Sequence, residues 1–277
     1  MRPIVDADAP AVSAFLSRHL NAAVPPEAWL VLMRPPWAFR GPNRGFALVA
    51  GEDVVGAYVA VYSERDGGTV CNLAAFCVLE EYRAHSLRLV RALLGQRGFA
   101  FTDFSPSGNV VAMNARLGFT ALDVATRLAP NLPGLPPRGV TVTRLTDANA
   151  SVLSGADQVV HRDHRLAPAA RHLLVTSGDS YAYLMFRRDR RKRVRTFATP
   201  LYAGGDRELL RRAWPGVAGH LLARHGLLFT LAEPRVLGFA PPRAPALSSP
   251  RPRMVKAPEP DALSHDYLYS EFTLVEW

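Results

Sequence analysis

The segment from Pro130 to Pro137, Pro-Asn-Leu-Pro-Gly-Leu-Pro-Pro, most constrains what this chain can fold into. Each proline fixes φ and removes a backbone donor, so neither a helix nor a central strand can run through it. It divides 277 residues into two stretches of about 130 to 140, each long enough to bury its own core. We read residues 1–129 as one domain and 138–277 as a second. A second proline-rich run, Ala240 to Pro252, reads as a surface connection before Tyr267-Leu-Tyr-Ser-Glu-Phe-Thr-Leu-Val-Glu-Trp277, whose alternation and aromatic content predict a closing strand.

Within the first stretch the periodicity changes repeatedly. Pro10 to Leu20 predicts a helix entered through Asp6 or Asp8. Gly45–Ala50 and Val54–Ser63 read as strands joined by a hairpin at Gly51-Glu-Asp53. Val70–Leu79 is apolar almost throughout, which suits a central strand. A helix from about Ala84 to Gln96 carries Leu87, Val90, Leu93 and Leu94 on one stripe. Phe99–Phe104 is the next strand, followed by a short helix, Asn109–Leu117, and Gly118-Phe119 opening another strand. Alternating strands and helices of this kind predict an α+β protein with a mixed sheet and helices on both faces.

The two stretches echo each other. Leu93-Leu94-Gly-Gln-Arg-Gly98-Phe-Ala-Phe101-Thr102 aligns with Leu221-Leu222-Ala-Arg-His-Gly226-Leu-Leu-Phe229-Thr230. Both read as helix end, glycine, buried strand. A Leu-Gly-Phe follows in each, at Leu117–Phe119 and Leu237–Phe239. Because the order of elements also agrees, a duplication is the preferred reading over chance.

Composition excludes several classes. At 48% apolar and 21% charged the chain is not disordered, and no apolar run approaches the ~18 residues of a membrane span. The net charge of +9 is almost all arginine, Lys192 and Lys256 being the lysines, and it favours anionic ligands. Cys71 and Cys77, six apart in one strand, are expected on one face and too far apart to bridge, which fits a reducing compartment. With Asp6 and Asp8 where a signal peptide would be apolar, a cytoplasmic location is expected.

The chemistry-bearing residues follow the apolar strand. Val78-Leu-Glu-Glu-Tyr-Arg83-Ala-His-Ser86-Leu-Arg88-Leu opens the amphipathic helix, and Ser107-Gly-Asn109-Val-Val-Ala-Met-Asn114-Ala-Arg-Leu-Gly118-Phe119 forms the short helix beyond the next strand. This ordered pair resembles the acyl-CoA signature of the GNAT superfamily of acyltransferases, clearly over residues 1–127 and in outline over the rest. The resemblance implies two tandem GNAT-like αβα domains, the first holding acetyl-CoA or another acyl-CoA as co-substrate. It places the ligand along Phe76, Val78, Arg83, Ala84, His85, Ser86, Leu87, Arg88, Asn109 and Asn114, with pantetheine between Val70–Leu79 and Phe99–Phe104. A helix start with flanking arginines suits a pyrophosphate.

The chain also departs from the family pattern. Ser86 and Arg88 replace the loop glycines, Glu80 replaces a proline, and Asn114 stands where many members carry an acidic tyrosine. Asn72 and Ala74 occupy the strand position of the usual general base. No catalytic residue is therefore assigned. Asp103, Ser105 and Ser107 either orient an amine or water or serve as turn and cap residues.

Other signals carry less. His85 reads as a solvated helix-start residue. His161-Arg-Asp163-His164 has ligand-like spacing, but its flanking arginines favour a solvated face over a metal site. Arg187 to Arg195, seven cations in nine residues, reads as a solvated hairpin rather than a docking patch for nucleic acid, which is not an expected partner. At Gly204-Gly205-Asp206-Arg-Glu208 the two acids compete with phosphate for the helix N–H groups, and no short helix is expected before Leu237. One acyl-CoA is thus expected per chain, in the first half. The predicted activity is acyl transfer to an amine of a small molecule or peptide; the alternative is a non-catalytic GNAT-like module that binds ligand or protein.

Overall fold

The computed structural model describes the chain except residues 39–40, 66–67, 192–193, 260–262, 264–265 and 277, and the side chains of residues 109, 191, 194 and 195. Strand β1 (Arg2–Pro3) and a 3-10 turn lead into α1 (Ala9–His19), then α2 (Pro26–Met33), β2 (Gly45–Ala50), β3 (Asp53–Arg65) and β4 (Gly68–Val78). A 3-10 turn, Glu80–His85, precedes α3 (Ser86–Leu94), β5 (Phe99–Asp103), α4 (Gly108–Arg116), β6 (Thr120–Ala121) and β7 (Arg127–Pro130). Past the prolines come β8 (Thr141–Arg144), α5 (Gly155–His164), β9 (Arg171–Ser177), β10 (Ser180–Arg191) and β11 (Val194–Gly205). The chain continues through α6 (Arg207–Arg212), α7 (Trp214–His225), β12 (Phe229–Ala232), α8 (Pro234–Leu237), β13 (Met254–Lys256) and α9 (Glu271–Leu274).

Among the described residues these strands form two mixed sheets, one of order β1-β2-β3-β4-β5-β13-β6 and one of order β7-β12-β11-β10-β9-β8. Each contains one parallel pair, β4 with β5 and β11 with β12, and in each pair helices connect the two strands. The echoed sequences occupy these equivalent places: α3 or α7 ends, a turn follows, and the parallel strand begins at Phe99 or Phe229. Gly226 closes α7 at φ 66, a left-handed cap that residues with a Cβ adopt at a cost. The predicted hairpin is present, Ala50 pairing with Asp53 around Gly51.

Two strands cross the division drawn at the prolines. β7 ends on the first of them yet pairs with β12 in the second sheet, Phe229 opposite Pro130. β13, near the end of the chain, inserts into the first sheet between β5 and β6, Met254 facing both Asp103 and Ala121. One apolar cluster runs through both halves, from Ile4, Leu16 and Trp29 to Tyr183, Met185 and Leu201.

Several local expectations are corrected. The closing segment is not a strand: Tyr269 has φ 55, which breaks the extended run, and Ser270 caps α9 by accepting from the Phe272 amide. Every residue from 267 to 275 is buried, so its alternation does not mark one exposed face. The helix expected from Ala84 begins at Ser86, because the preceding residues form the 3-10 turn. A short helix does precede Leu237, with Pro234 at its first position.

The two cysteines face opposite ways. Val59 pairs with Ala75 and Ala60 with Leu73, leaving Ala74 as an extra residue in β4. This bulge reverses the pleat. Cys71 therefore packs with Leu89 and Leu93 of α3, whereas Cys77 packs on the cluster of α1 and α2.

Candidate active site

The bulge sits where the first sheet opens. β4 and β5 pair in parallel from Thr69–Phe99 to Asn72–Thr102 and no further. β4 continues to Val78 against β3 alone, so a cleft forms between Leu73–Phe76 and the residues after Thr102. A cavity of about 240 Å³ occupies it, lined by Trp29, Leu73, Ala74, Phe76, Asp103 and Ser105 among others. An unpaired bulge residue in this wall leaves backbone polar groups outside the sheet ladder.

Polar groups gather on the β5 side. The Asp103 carboxylate accepts from Asn114 Nδ2 at 2.8 Å and from the Ser105 amide at 3.3 Å. Burial pushes the Asp103 carboxyl up to about 6, against those two hydrogen bonds and the attraction of Arg253. Ser105 Oγ donates to Glu271 Oε1 at 2.7 Å. Glu271 comes from the first turn of α9 and is fully buried, which pushes its carboxyl up to about 7, the nearby charge of Asp103 adding to the effect. Its amide donates to Asn72 Oδ1 at 3.1 Å, and Asn72 Nδ2 donates to Thr102 Oγ1 at 3.0 Å. Asn72, at the strand position of the usual base, thus pins the closing segment to the last paired rung of β4 and β5.

The predicted ligand residues fall into two groups. Phe76 lines the cavity, its ring 4.6 Å from that of Tyr58. Val78 ends β4 on the face toward α3. Arg83, Ala84 and His85 are exposed in the 3-10 turn, Ser86 is half-buried, and Leu87 and Arg88 are exposed on the first turn of α3. Arg83 lies 3.6 Å from Glu80, and the Ser86 amide donates to the Arg83 carbonyl. The extra turn therefore takes one N–H that a phosphate would use, while exposed cations remain on either side. Asn114 is buried and spends its amide on Asp103, a role in holding a carboxylate rather than meeting a ligand directly. The Asn109 side chain lies outside the described residues.

Asp103 was visible as a polar end to an apolar strand. Glu271 carried no such signal, since 199 residues separate it from Asn72 and its neighbours read as a strand.

The remaining motifs resolve into packing. His161 and His164 are buried, not solvated. His164 places Nδ1 against the Val160 carbonyl and receives the Tyr269 amide on Nε2, so both ring nitrogens have backbone partners. The basic hairpin is also only partly solvated. Arg187 is buried with its guanidinium 5.0 Å over the Phe272 ring, because the strand turns that residue toward the closing segment. Lys192 and Arg193 lie outside the described residues. At the second glycine pair, a Cβ on Gly204 would collide with the Asp157 carboxylate and one on Gly205 with Tyr181. Asp206 Oδ1 accepts from the Glu208 and Leu209 amides at 2.9 Å each. The glycines admit neighbouring side chains, and the helix start already holds an anion.

No family model matches the sequence, and no curated protein matches it. Solved structures do. A GCN5-related N-acetyltransferase from Anabaena variabilis is similar at TM-score 0.59 and 11% identity, over 92% of this chain and 71% of that one. One from Kribbella flavida gives TM-score 0.56 and 16% identity over 95% and 72%. A putative acetyltransferase from Pyrococcus horikoshii gives 0.55 and 12% over 99% and 95%. The chain has the fold of the GCN5-related N-acetyltransferases. Among the described residues, no helix is long and apolar enough to cross a membrane.

Proposed function

We propose that the protein is an N-acyltransferase that moves an acyl group, acetyl in the simplest case, from coenzyme A to an amine. The observation that carries this reading is the cleft where β4 and β5 part, with the buried carboxylate of Asp103 in its wall. Coenzyme A would supply an activated thioester. The cavity would take the narrow end of a pantetheine arm, and the bulge at Ala74 leaves backbone groups that would hold the thioester carbonyl. Arg83, His85 and Arg88 would meet the phosphates at the start of α3.

Asp103 supplies the base that the usual strand position lacks. A carboxyl held near 6 is ionised at neutral pH yet basic enough to take a proton from an incoming ammonium, freeing the nitrogen lone pair for attack. As the C–S bond breaks, the departing thiolate would take up, through water, the proton that the acylated nitrogen sheds. Asn114 and the Ser105 amide fix its orientation. The Arg83–Glu80 pair and the occupied Ser86 amide favour the second reading, a non-catalytic binding module. Calorimetry with acetyl-CoA, free CoA and a longer acyl-CoA separates the two when joined to a thiol-release assay over a panel of primary amines. Binding with turnover supports transfer, binding without turnover supports the module, and no binding excludes transfer. The acceptor is a small molecule or the amine of a peptide.

A further inference from the structure

The closing segment brings a carboxylate into the first half that the proposed chemistry leaves unused. We propose that Glu271 is a positioning residue for the acceptor nitrogen, acting through the Ser105 hydroxyl. The inference rests on the acyl-transfer reading of the cleft.

A serine hydroxyl has one proton, and Ser105 donates it to Glu271 Oε1 at 2.7 Å. With that proton committed, the oxygen offers only lone pairs to the cavity it lines. It can accept an N–H from an amine but cannot donate to one. The amine is thereby held by its hydrogens, and its own lone pair stays free for the thioester carbon. If Glu271 stopped accepting, the hydroxyl could turn and donate to the nitrogen, occupying the electron pair that attack requires. Asp103 then takes the ammonium proton, while Ser105 sets the direction of the nitrogen.

The position of Glu271 is over-determined. Its amide is tied to Asn72, and Asn72 to Thr102, at the rung where the cleft begins. The Ser270 cap fixes the turn of helix that carries it. Its second oxygen, Oε2, is buried without a hydrogen-bond partner among the described residues. Packing alone does not favour such a group, because an unpartnered buried oxygen costs more than an apolar side chain of that size. The ionisable groups that face it are Asp103 on β5, Tyr58 on β3, Arg187 on β10 and Arg253 beside β13. The two guanidiniums favour the carboxylate, and burial and Asp103 oppose it.

The test uses the full chain as wild type, Glu271→Leu, Ser105→Ala and the double variant, with acetyl-CoA as donor and ethylamine as the acceptor probe; leucine, unlike glutamine, has no oxygen to accept from Ser105. Thiol release gives kcat and KM across pH 6 to 9, and calorimetry gives acetyl-CoA affinity. Each single variant is expected to lose at least tenfold in kcat, with acetyl-CoA affinity within twofold of wild type. The double variant is expected to be no slower than the slower single, since both remove one hydrogen bond. In wild type the rate should rise through an ionisation near 7 that is missing from Glu271→Leu. Wild-type kcat in Glu271→Leu, or losses that multiply in the double, overturns the inference and leaves acyl transfer standing. Should Glu271→Leu fail to fold, half-buried Ser105 carries the test alone. A wild type that binds acetyl-CoA but releases no thiol with any primary amine overturns this inference together with acyl transfer.

Discussion

Replacing Asp103 with asparagine should stabilise the protein at the pH where it abolishes most activity. A carboxyl held near 6 instead of its ordinary 3.8 costs the folded state about 3 kcal/mol once ionised, at ~1.36 kcal/mol per pH unit. Below about pH 4 the group is protonated in both folded and unfolded chains, so the substitution gains nothing. Between about 4 and 6 the unfolded chain ionises first, and wild type loses stability as pH rises. Above 6 the whole difference is in place. The replacement keeps one oxygen to accept from the Ser105 amide. Its new amide can donate to Asn114, whose Oδ1 is buried without a partner among the described residues, once that side chain turns over. Allowing for imperfect exchange of hydrogen bonds, a net gain of about 1 to 2 kcal/mol at pH 8 is expected, or roughly 3 to 6 °C in Tm for a chain of this size. Calorimetric melts of both proteins at pH 4, 6 and 8 measure it, beside thiol release at pH 8, where kcat should fall about a hundredfold or more. A difference in Tm that does not vary with pH, or a loss of stability at pH 8, would refute the account of Asp103 as a carboxylate held at a cost for its chemistry.

Other expectations are independent of that group. Ser86→Glu puts a negative charge at the start of α3 and should weaken CoA binding at least tenfold, about 1.4 kcal/mol, in a protein that melts normally; unchanged affinity by calorimetry would move the phosphate site elsewhere. Titration with acetyl-CoA should saturate at one per chain, because the Asp206 carboxylate already occupies the amides at the start of α6; two equivalent sites would contradict this. Gly204→Ala should cost about 2 kcal/mol or more through collision with Asp157, read as a lower Tm, and an unchanged melt would mean that Asp157 moves freely.

The sequence was most informative where structure is local. The hairpin at Gly51, the central strand, the helix at α3 and the strand from Phe99 rest on spacings within ten residues or so; the expected stripe is corrected, since α3 buries Leu89, Val90 and Leu93 and leaves Leu87 exposed on its first turn. What escaped depends on distant partners or on a single residue of register. The extra residue at Ala74 leaves no mark in composition, yet it turns Cys77 to the opposite face and opens the cleft wall. The 3-10 turn at Glu80–His85 uses residues that a helix also accepts. The closing segment alternates like a strand, yet both of its sides are buried, one against Asn72 and Ser105, the other in the core shared by both halves, so its polar residues meet internal partners rather than water. Nothing in the spacing of Glu271 ties it to the cleft; only the tertiary fold does.

The exchange of β7 and β13 has a consequence for how the protein is made. On a ribosome the first sheet can assemble β1 through β5 early, but the place between β5 and β6 stays open until residue 256 has been synthesised. Until then β5 presents a row of unpaired N–H and C=O groups, the kind of edge at which chains join one another by mistake. β12, in turn, finds β7 already waiting about a hundred residues behind it. The second sheet can therefore be complete before the first, and a nascent chain stalled before Met254 is an aggregation hazard rather than a folded half. The cleft is completed later still, because Glu271, which accepts from Ser105 in its wall, lies beyond Lys256 in the chain.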